Sequence, residues 1–175
     1  MDYILEGLAQ AFRLLASGDP ETFSALQATV HSSSLAMLAS LLLGLPLGFV
    51  LGHGRFRGRK LMRTLVDTCL ALPTVLIGLL VYAFLSRRGP LGQWGLLFTL
   101  PGLAIGQAIL ALPVIMALTA SAVEGLDRRL GLTLLTLGAN RRQVALTTLW
   151  EARSGLLAAA VNAYGRVVTE VGIAM

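Results

Sequence analysis

The chain has 175 residues, of which 55% are hydrophobic and 13% are charged. The mean hydropathy is +0.76. This apolar content is higher than that of soluble domains and predicts a protein embedded in a bilayer. The formal net charge of +5 comes largely from basic residues in two loops, which argues against a nucleic-acid partner. A single cysteine, Cys69, excludes an intrachain disulfide and a cysteine-cluster metal site.

Apolar periodicity predicts one all-α domain over residues 1–175, a polytopic transmembrane helical bundle. Residues 1–18 repeat apolar positions at helical spacing, which predicts an amphipathic helix on the outer surface. Four long apolar segments follow, each with about the 20 residues that cross a hydrocarbon core. The predicted spans are residues 28–53, 66–86, 101–123 and 155–175.

Small residues and prolines interrupt these spans at regular positions. Gly44, Gly48 and Gly52 recur every four residues, which lets another helix approach closely and favours plain packing over the edge of a path. Pro73 and Pro113 each follow Ala-Leu, and proline in a spanning helix frees a carbonyl and kinks the chain. The repeat predicts equivalent bends, either flanking a path or as structural kinks.

The orientation follows from the basic residues, because Lys and Arg in short loops are retained on the cytoplasmic side. Ten of them fall in the loops after the first and third spans, and three fall on the other side. The first set is Arg55, Arg57, Arg59, Lys60, Arg63, Arg128, Arg129, Arg141, Arg142 and Arg153, and the second is Arg13, Arg87 and Arg88. This distribution places the N-terminus outside and the loop at residues 124–154 in the cytoplasm.

That cytoplasmic loop carries more local signals than a connector needs. Asp127 can cap a first helix, Gly138 can supply a left-handed stop, and Asn140 with Gln143 forms a capping-box pattern for a second helix. The loop is therefore predicted to be two helices joined by a glycine turn.

Arg141 and Arg142 fall in the first turn of that second helix, where the helix dipole disfavours cations. Something outside the helix is expected to compensate them, either lipid headgroups or the acidic surface of a partner protein.

Several segments together resemble the inner-membrane permeases of ABC-type importers for oxyanions. They are Thr136-Leu137-Gly138-Ala139-Asn140-Arg141, Trp150-Glu151-Ala152-Arg153 and Tyr164-Gly165-Arg166-Val167-Val168-Thr169-Glu170-Val171-Gly172. The opening Met1-Asp2-Tyr3-Ile4-Leu5-Glu6-Gly7 and the segment Leu85-Ser86-Arg87-Arg88-Gly89-Pro90-Leu91-Gly92 are most similar to the tungstate-specific permeases, while molybdate and sulfate permeases share the architecture.

The resemblance implies that the loop couples the chain to a separate cytoplasmic ABC ATPase, so that this chain is not itself an enzyme. The coupling residues so implied are Leu132, Thr133, Leu134, Leu137, Gly138, Ala139, Asn140, Arg141, Arg142 and Glu151. Leu132-Thr133-Leu134 stands where the family usually has Glu-Ala-Ala, and Glu151 stands where a proline often closes the motif.

The resemblance also implies a bacterial or archaeal plasma-membrane importer with an external oxyanion-binding protein, a second permease copy and surrounding lipid. The sequence has no Walker-type phosphate loop and no cluster of His, Cys and carboxylates, so neither a metal nor a cofactor is expected. Such permeases continue past the Glu-Val-Gly stretch, so the chain is expected to be truncated. Polar residues within the spans are candidates for the translocation path, namely Thr74, Gln107, Asn162, Arg166, Thr169 and Glu170. Arg166 and Glu170 lie four residues apart and could instead form a purely structural pair.

Two other classes compete with an importer. A membrane-embedded enzyme would need a nucleophile and a base within reach, and the spans carry no histidine at mid-depth. An ATP-independent channel or secondary carrier would not require a structured, glycine-hinged cytoplasmic loop.

Overall fold

A computed structural model describes residues 2–54, 56–127 and 129–174, and their side chains except those of residues 2, 3, 8, 12 and 170–174. Within this part of the chain the secondary structure is helical, with no strand. The α-helices are α1 (Asp2–Ser17), α2 (Pro20–His53), α3 (Arg59–Ala71), α4 (Thr74–Leu85), α5 (Leu100–Glu124), α6 (Arg129–Thr136), α7 (Arg141–Glu151) and α8 (Arg153–Ala174). A short 3-10 turn, Gly92–Trp94, lies between α4 and α5.

Helices α2 and α5 run side by side in the same direction. The hydroxyl of Ser40 donates to the carbonyl of Ala108 at 3.2 Å, and twelve residues further along both helices Gly52 lies against Ala120. Parallel neighbours must be joined by a segment that returns across the bundle. The two basic loops, which follow α2 and α5, therefore lie at the same end.

Close contact between α2 and α5 depends on the three regularly spaced glycines. A Cβ atom on Gly44 would lie 2.8 Å from the side chain of Ile115, one on Gly48 would lie 2.7 Å from the backbone oxygen of Met116, and one on Gly52 would meet Ala120 at 2.8 Å. Contacts this short are not tolerated, so these glycines face α5. Their role in this structure is helix packing.

The return segment is α3 followed by α4, which meet at an angle of 99°. Pro73 stands at the start of α4, where its missing N–H removes no helical hydrogen bond. Arg63 of α3 reaches the carbonyl of Ala117, whereas Val81 of α4 lies near Gly106. The pair thus passes from the end of α5 back toward its beginning, and the predicted span at residues 66–86 is divided into two helices.

Helix α8 packs antiparallel to α5. Gly155, near the start of α8, lies against Ala122 near the end of α5, while Ala163 and Val167 join a buried cluster. The other members of that cluster are Met37, Ala111, Val114 and Ile115. The core of the bundle is therefore the contact of α2, α5 and α8, and it lies near the middle of both long helices.

Two of the described helices, α2 and α5, are long and apolar enough to cross a membrane, and the bent pair α3–α4 supplies a third crossing if it counts as one span. Large apolar side chains on their outward faces, such as Leu42, Leu79 and Ile109, are exposed. Outward apolar faces with a tightly packed interior are what a lipid environment requires.

Candidate functional site: the Gly138 loop and the polar edge of α8

Helix α6 ends at Thr136, and Gly138 forms the left-handed turn after it in the manner predicted. Gly138 has a φ of +85°, its N–H donates to the carbonyl of Leu135, and the N–H of Ala139 donates to the carbonyl of Leu134, each at 3.0 Å. This pair of bonds is the Schellman arrangement, which needs a left-handed residue at the glycine position. At the other end, the carboxylate of Asp127 accepts the N–H of Arg129 at 2.8 Å, as predicted for a cap.

The predicted capping box at the start of α7 is confirmed. The side-chain oxygen of Asn140 accepts the N–H of Gln143 at 2.9 Å, and the side-chain oxygen of Gln143 accepts the N–H of Asn140 at 2.8 Å. Both bonds satisfy donors that a helix start leaves free. The loop is thus a helix-turn-helix whose geometry is set by its own residues.

The outer surface of this helix-turn-helix is apolar at its centre and basic at one side. Leu137, at the turn, is 78% exposed, and other large apolar side chains of α6 and α7 are exposed with it, namely Leu132, Leu135, Leu146 and Trp150. Arg141 and Arg142 are exposed beside the turn. We call this set of residues the loop ridge. An apolar patch rimmed by charge is typical of a protein-binding surface.

The residues predicted for coupling all lie on or next to this ridge. Val144 and Thr148 form the buried inner side of α7. Of the predicted set, Leu134 and Ala139 are half-buried, and the exposed members are Leu132, Thr133, Leu137, Gly138, Asn140, Arg141, Arg142 and Glu151. Leu135, Leu146 and Trp150 lie within the segment predicted for coupling but are not among the residues singled out there, although their large apolar side chains are exposed.

Replacement of Gly138 by valine is expected to destabilise the turn by about 1–2 kcal/mol, because a β-branched residue disfavours the left-handed backbone. Asparagine, which tolerates this conformation, is the matched control, and a Cβ atom at this position meets nothing within 4 Å in either variant. Hydrogen exchange of the amides at residues 134–143 measures the effect. Equal protection in the two variants would contradict the role assigned to the backbone of Gly138.

Three predicted path residues lie on one edge of α8. Asn162, Arg166 and Thr169 are spaced by four and three residues, so they share a narrow face of the helix. Asn162 and Thr169 are exposed and Arg166 is half-buried, and their level is that of Val167 in the central core. We call these three residues the α8 polar edge. Glu170, the fourth predicted residue in this helix, lies outside the described side chains.

The other two predicted path residues are placed differently. Gln107 is only 3% exposed between α2 and α5, and its amide nitrogen lies 3.4 Å from the hydroxyl of Ser33. Its side-chain oxygen has no partner among the described residues. Thr74 is the first residue of α4, at the bend. The α8 residues therefore share one face of one helix, whereas Gln107 is buried against α2 and Thr74 lies at the bend before α4.

At the end of α5 from which the loop emerges, a charged cluster that the sequence did not single out ties α3 to α5. Glu124, the last residue of α5, lies 2.5 Å from the guanidinium of Arg59 and 4.0 Å from that of Arg63. A carboxylate at the C-terminus of a helix is disfavoured by the dipole, and the two arginines offset this cost. The sequence offers one indication of this cluster, since Glu124 is the first charged residue after the uncharged stretch of residues 89–123.

The helical bundle with its exposed loop ridge defines a multi-pass membrane protein that presents a helix-turn-helix at one end. Residues 44–174 match the family model described as the binding-protein-dependent transport system inner membrane component. Because this match covers most of the chain, the protein belongs to that family, and it is a multi-pass protein of the inner membrane. Membership implies a binding protein and an ATPase as its partners.

Individual relatives agree with this assignment. The chain is similar to the tungstate uptake system permease protein TupB of Campylobacter jejuni, at 42% identity over the whole chain and 73% of that relative. TupB of Peptoclostridium acidaminophilum is 34% identical over the whole chain and 77% of its own length. The molybdenum transport system permease protein ModB of Escherichia coli is 32% identical over 88% of this chain and 70% of its own length.

Proposed function

We propose that this chain forms the membrane path of an ATP-driven importer for a tetrahedral oxyanion, with tungstate as the substrate. The similarity to permeases named for tungstate uptake supports the substrate. The observation that carries the transport mechanism is the loop ridge, a locally built helix-turn-helix with an exposed apolar centre around Leu137. A passive pore has no need of such an element.

In this proposal the loop ridge enters a cleft of the ATPase. The exposed leucines would pack on apolar walls, and Arg141 with Arg142 would face acidic side chains of the partner. Closure of two ATPase subunits on ATP would then move the loops of two permease copies. That movement would reorient the spans and alternate the access of the path.

The α8 polar edge would line the path between the two copies. Polar side chains at the core level of a membrane bundle are costly against lipid, so they face protein or water. Asn162 and Thr169 offer an amide and a hydroxyl, and Arg166 offers a fixed positive charge. These donors suit brief contacts with a dianion, which must bind weakly enough to leave.

Replacement of Arg166 by glutamine is expected to lower ATP-driven tungstate uptake by about tenfold or more, because a hydrogen bond to a charged group contributes about 1.5–3 kcal/mol. Lysine at the same position keeps the charge and should retain most of the uptake. The measurement is initial uptake into proteoliposomes that contain the permease, the ATPase and the binding protein. Equal uptake by the glutamine variant would show that Arg166 is structural.

The proposed function is tested by competition in the same proteoliposomes. We expect tungstate uptake that requires ATP and that a modest excess of molybdate or sulfate does not reduce. Molybdate as the preferred ion would identify a molybdate permease, consistent with the similarity to ModB, and preference for sulfate would identify a sulfate permease. Uptake that continues without ATP or without the ATPase would instead identify a channel or carrier.

A further inference from the structure

The end of α2 and the end of α5 are tied to α3 by two arginines. Arg59 donates to the carbonyl of Leu51 at 2.7 Å and to that of Gly52 at 3.0 Å. Both belong to the last four carbonyls of α2, the positions at which a helix needs acceptor partners from outside. The same guanidinium binds the carboxylate of Glu124 at 2.5 Å. One side chain therefore joins three helices at the end where the loop emerges.

Arg63, one turn further along α3, makes a second connection to α5. Its guanidinium donates to the carbonyl of Ala117 at 3.1 Å and to the hydroxyl of Ser121 at 2.8 Å. It also pairs with Asp67 within α3 at 3.1 Å. Together Arg59, Arg63 and Glu124 form what we call the end clamp.

Apolar packing reinforces the clamp on the side of the core. Val66 of α3 is buried with Leu51 of α2 and with Ala117 and Ala120 of α5. At the same end, the start of α8 lies against α5, since a Cβ atom on Gly155 would be 2.6 Å from the Cβ of Ala122. The loop thus leaves from and returns to one packed group of helix ends.

The break in the return segment lies just beyond this group. Helix α3 ends at Ala71 and α4 begins at Thr74, with the 99° bend between them. Leu72 has a β-type backbone, with φ −66° and ψ 135°, so no helical hydrogen bond ladder crosses the junction. Because helical hydrogen bonds do not continue from α3 into α4, the junction can act as a hinge about which α3 turns relative to α4.

We propose that Glu124 is a positioning residue for energy coupling: through the end clamp it makes α3 move as one body with the cytoplasmic loop, and the motion is taken up at Leu72–Pro73. This inference rests on the proposed function, because the loop must be driven by a partner ATPase. The motion passes from the end of α5 through Arg59 and Arg63 into α3. Glu124 itself touches neither the ATPase nor the substrate.

The first test compares ATP hydrolysis with uptake in proteoliposomes that contain the ATPase and the binding protein. Glu124→Gln should keep the ATPase complex but lower tungstate uptake per ATP hydrolysed by about fivefold or more, the size of an ordinary coupling effect. Glu124→Asp keeps the carboxylate and should recover part of the lost tungstate uptake per ATP hydrolysed. Lys60→Gln is the matched control, because Lys60 is an exposed cation in the same turn of α3 as Arg59.

The second test measures the distance between spin labels on α3 and on the loop, at Leu65→Cys and Thr136→Cys in a Cys69→Ser background. Both labelled positions are exposed. In otherwise unaltered protein the distance should be the same with and without ATP. In the Glu124→Gln variant the distribution of label distances should broaden or shift when ATP is added.

The outcomes separate the inference from the function on which it rests. If the unaltered permease shows no ATP-driven uptake, the proposed function is wrong and the inference falls with it. If it transports and Glu124→Gln has the same uptake per ATP, only the inference is overturned. Loss of the ATPase complex in Glu124→Gln, or a nucleotide-dependent label distance in the unaltered protein, would overturn it as well.

Discussion

Replacement of both Arg141 and Arg142 by glutamate is expected to weaken ATPase binding by about 100-fold. A 100-fold loss of affinity requires each substitution to cost about 1.4 kcal/mol of binding free energy. Like charges placed opposite each other at an interface cost at least that much. Both side chains are exposed beside the turn at Gly138. Insertion should be unaffected, because neither residue packs in the bundle.

The measurement is the affinity of the detergent-solubilised permease for its ATPase at low and high salt. The matched control is the double glutamate variant of Arg87 and Arg88, an adjacent and exposed basic pair in the loop at the opposite end of the bundle. That control should bind the ATPase as the unaltered protein does. Unchanged affinity of the Arg141/Arg142 variant would remove these residues from the interface and leave lipid headgroups as their partner.

Replacement of Gly48 by leucine is expected to destabilise the helical bundle by about 3 kcal/mol, at the upper end of what overpacking costs. Its Cβ atom would lie 2.7 Å from both the backbone oxygen of Met116 and the Cβ of Thr119. Backbone atoms cannot rotate aside as a side-chain tip can. Helices α2 and α5 would have to separate, and the small-residue contact that holds them would be lost.

Thermal unfolding in detergent, with the monodisperse fraction after purification, measures this effect. Gly78→Leu is the matched control, because a Cβ atom on Gly78 in α4 meets nothing within 4 Å. That variant adds the same side chain to a spanning segment without disturbing its packing. Equal unfolding temperatures for the two variants would mean that α2 and α5 are not packed through Gly48.

The loop at residues 124–154 could be predicted in detail because its structure depends on local chemistry. The capping side chains of Asp127, Asn140 and Gln143 satisfy donors within three residues of themselves, and Gly138 provides the left-handed turn. None of these features needs information about distant parts of the chain. The function of the exposed surface beyond them rests on family resemblance.

The two prolines show where local patterns fail. Pro73 and Pro113 both follow Ala-Leu, yet Pro113 lies inside the continuous helix α5, while Pro73 begins a new helix after a sharp bend. Next to Pro113, Val114 and Ile115 are buried in the central core, so tertiary packing holds that helix together. Around Pro73 the neighbouring residues are more exposed, and nothing comparable opposes the break. The prediction of equivalent bends is therefore wrong.

The end clamp could not be predicted because it depends on residues far apart in sequence. The sequence places Arg59 and Arg63 in a basic loop whose charge predicts the membrane orientation. In the structure both belong to α3, and their contacts with α5 are a second role that the charge pattern does not reveal. Their partner, Glu124, is 65 residues from Arg59. Only the parallel packing of α2 and α5, with α3 beside their ends, brings these charges together.

Site-specific photocrosslinking of the assembled transporter in membranes tests the proposed coupling most directly. A photoreactive residue at Leu137, 78% exposed on the loop ridge, is compared with one at Trp94, 71% exposed in the loop between α4 and α5. We predict an ATPase adduct from position 137 and none from position 94. No ATPase adduct from position 137, or one from position 94, would contradict the proposal that the ATPase drives this bundle through the Gly138 loop.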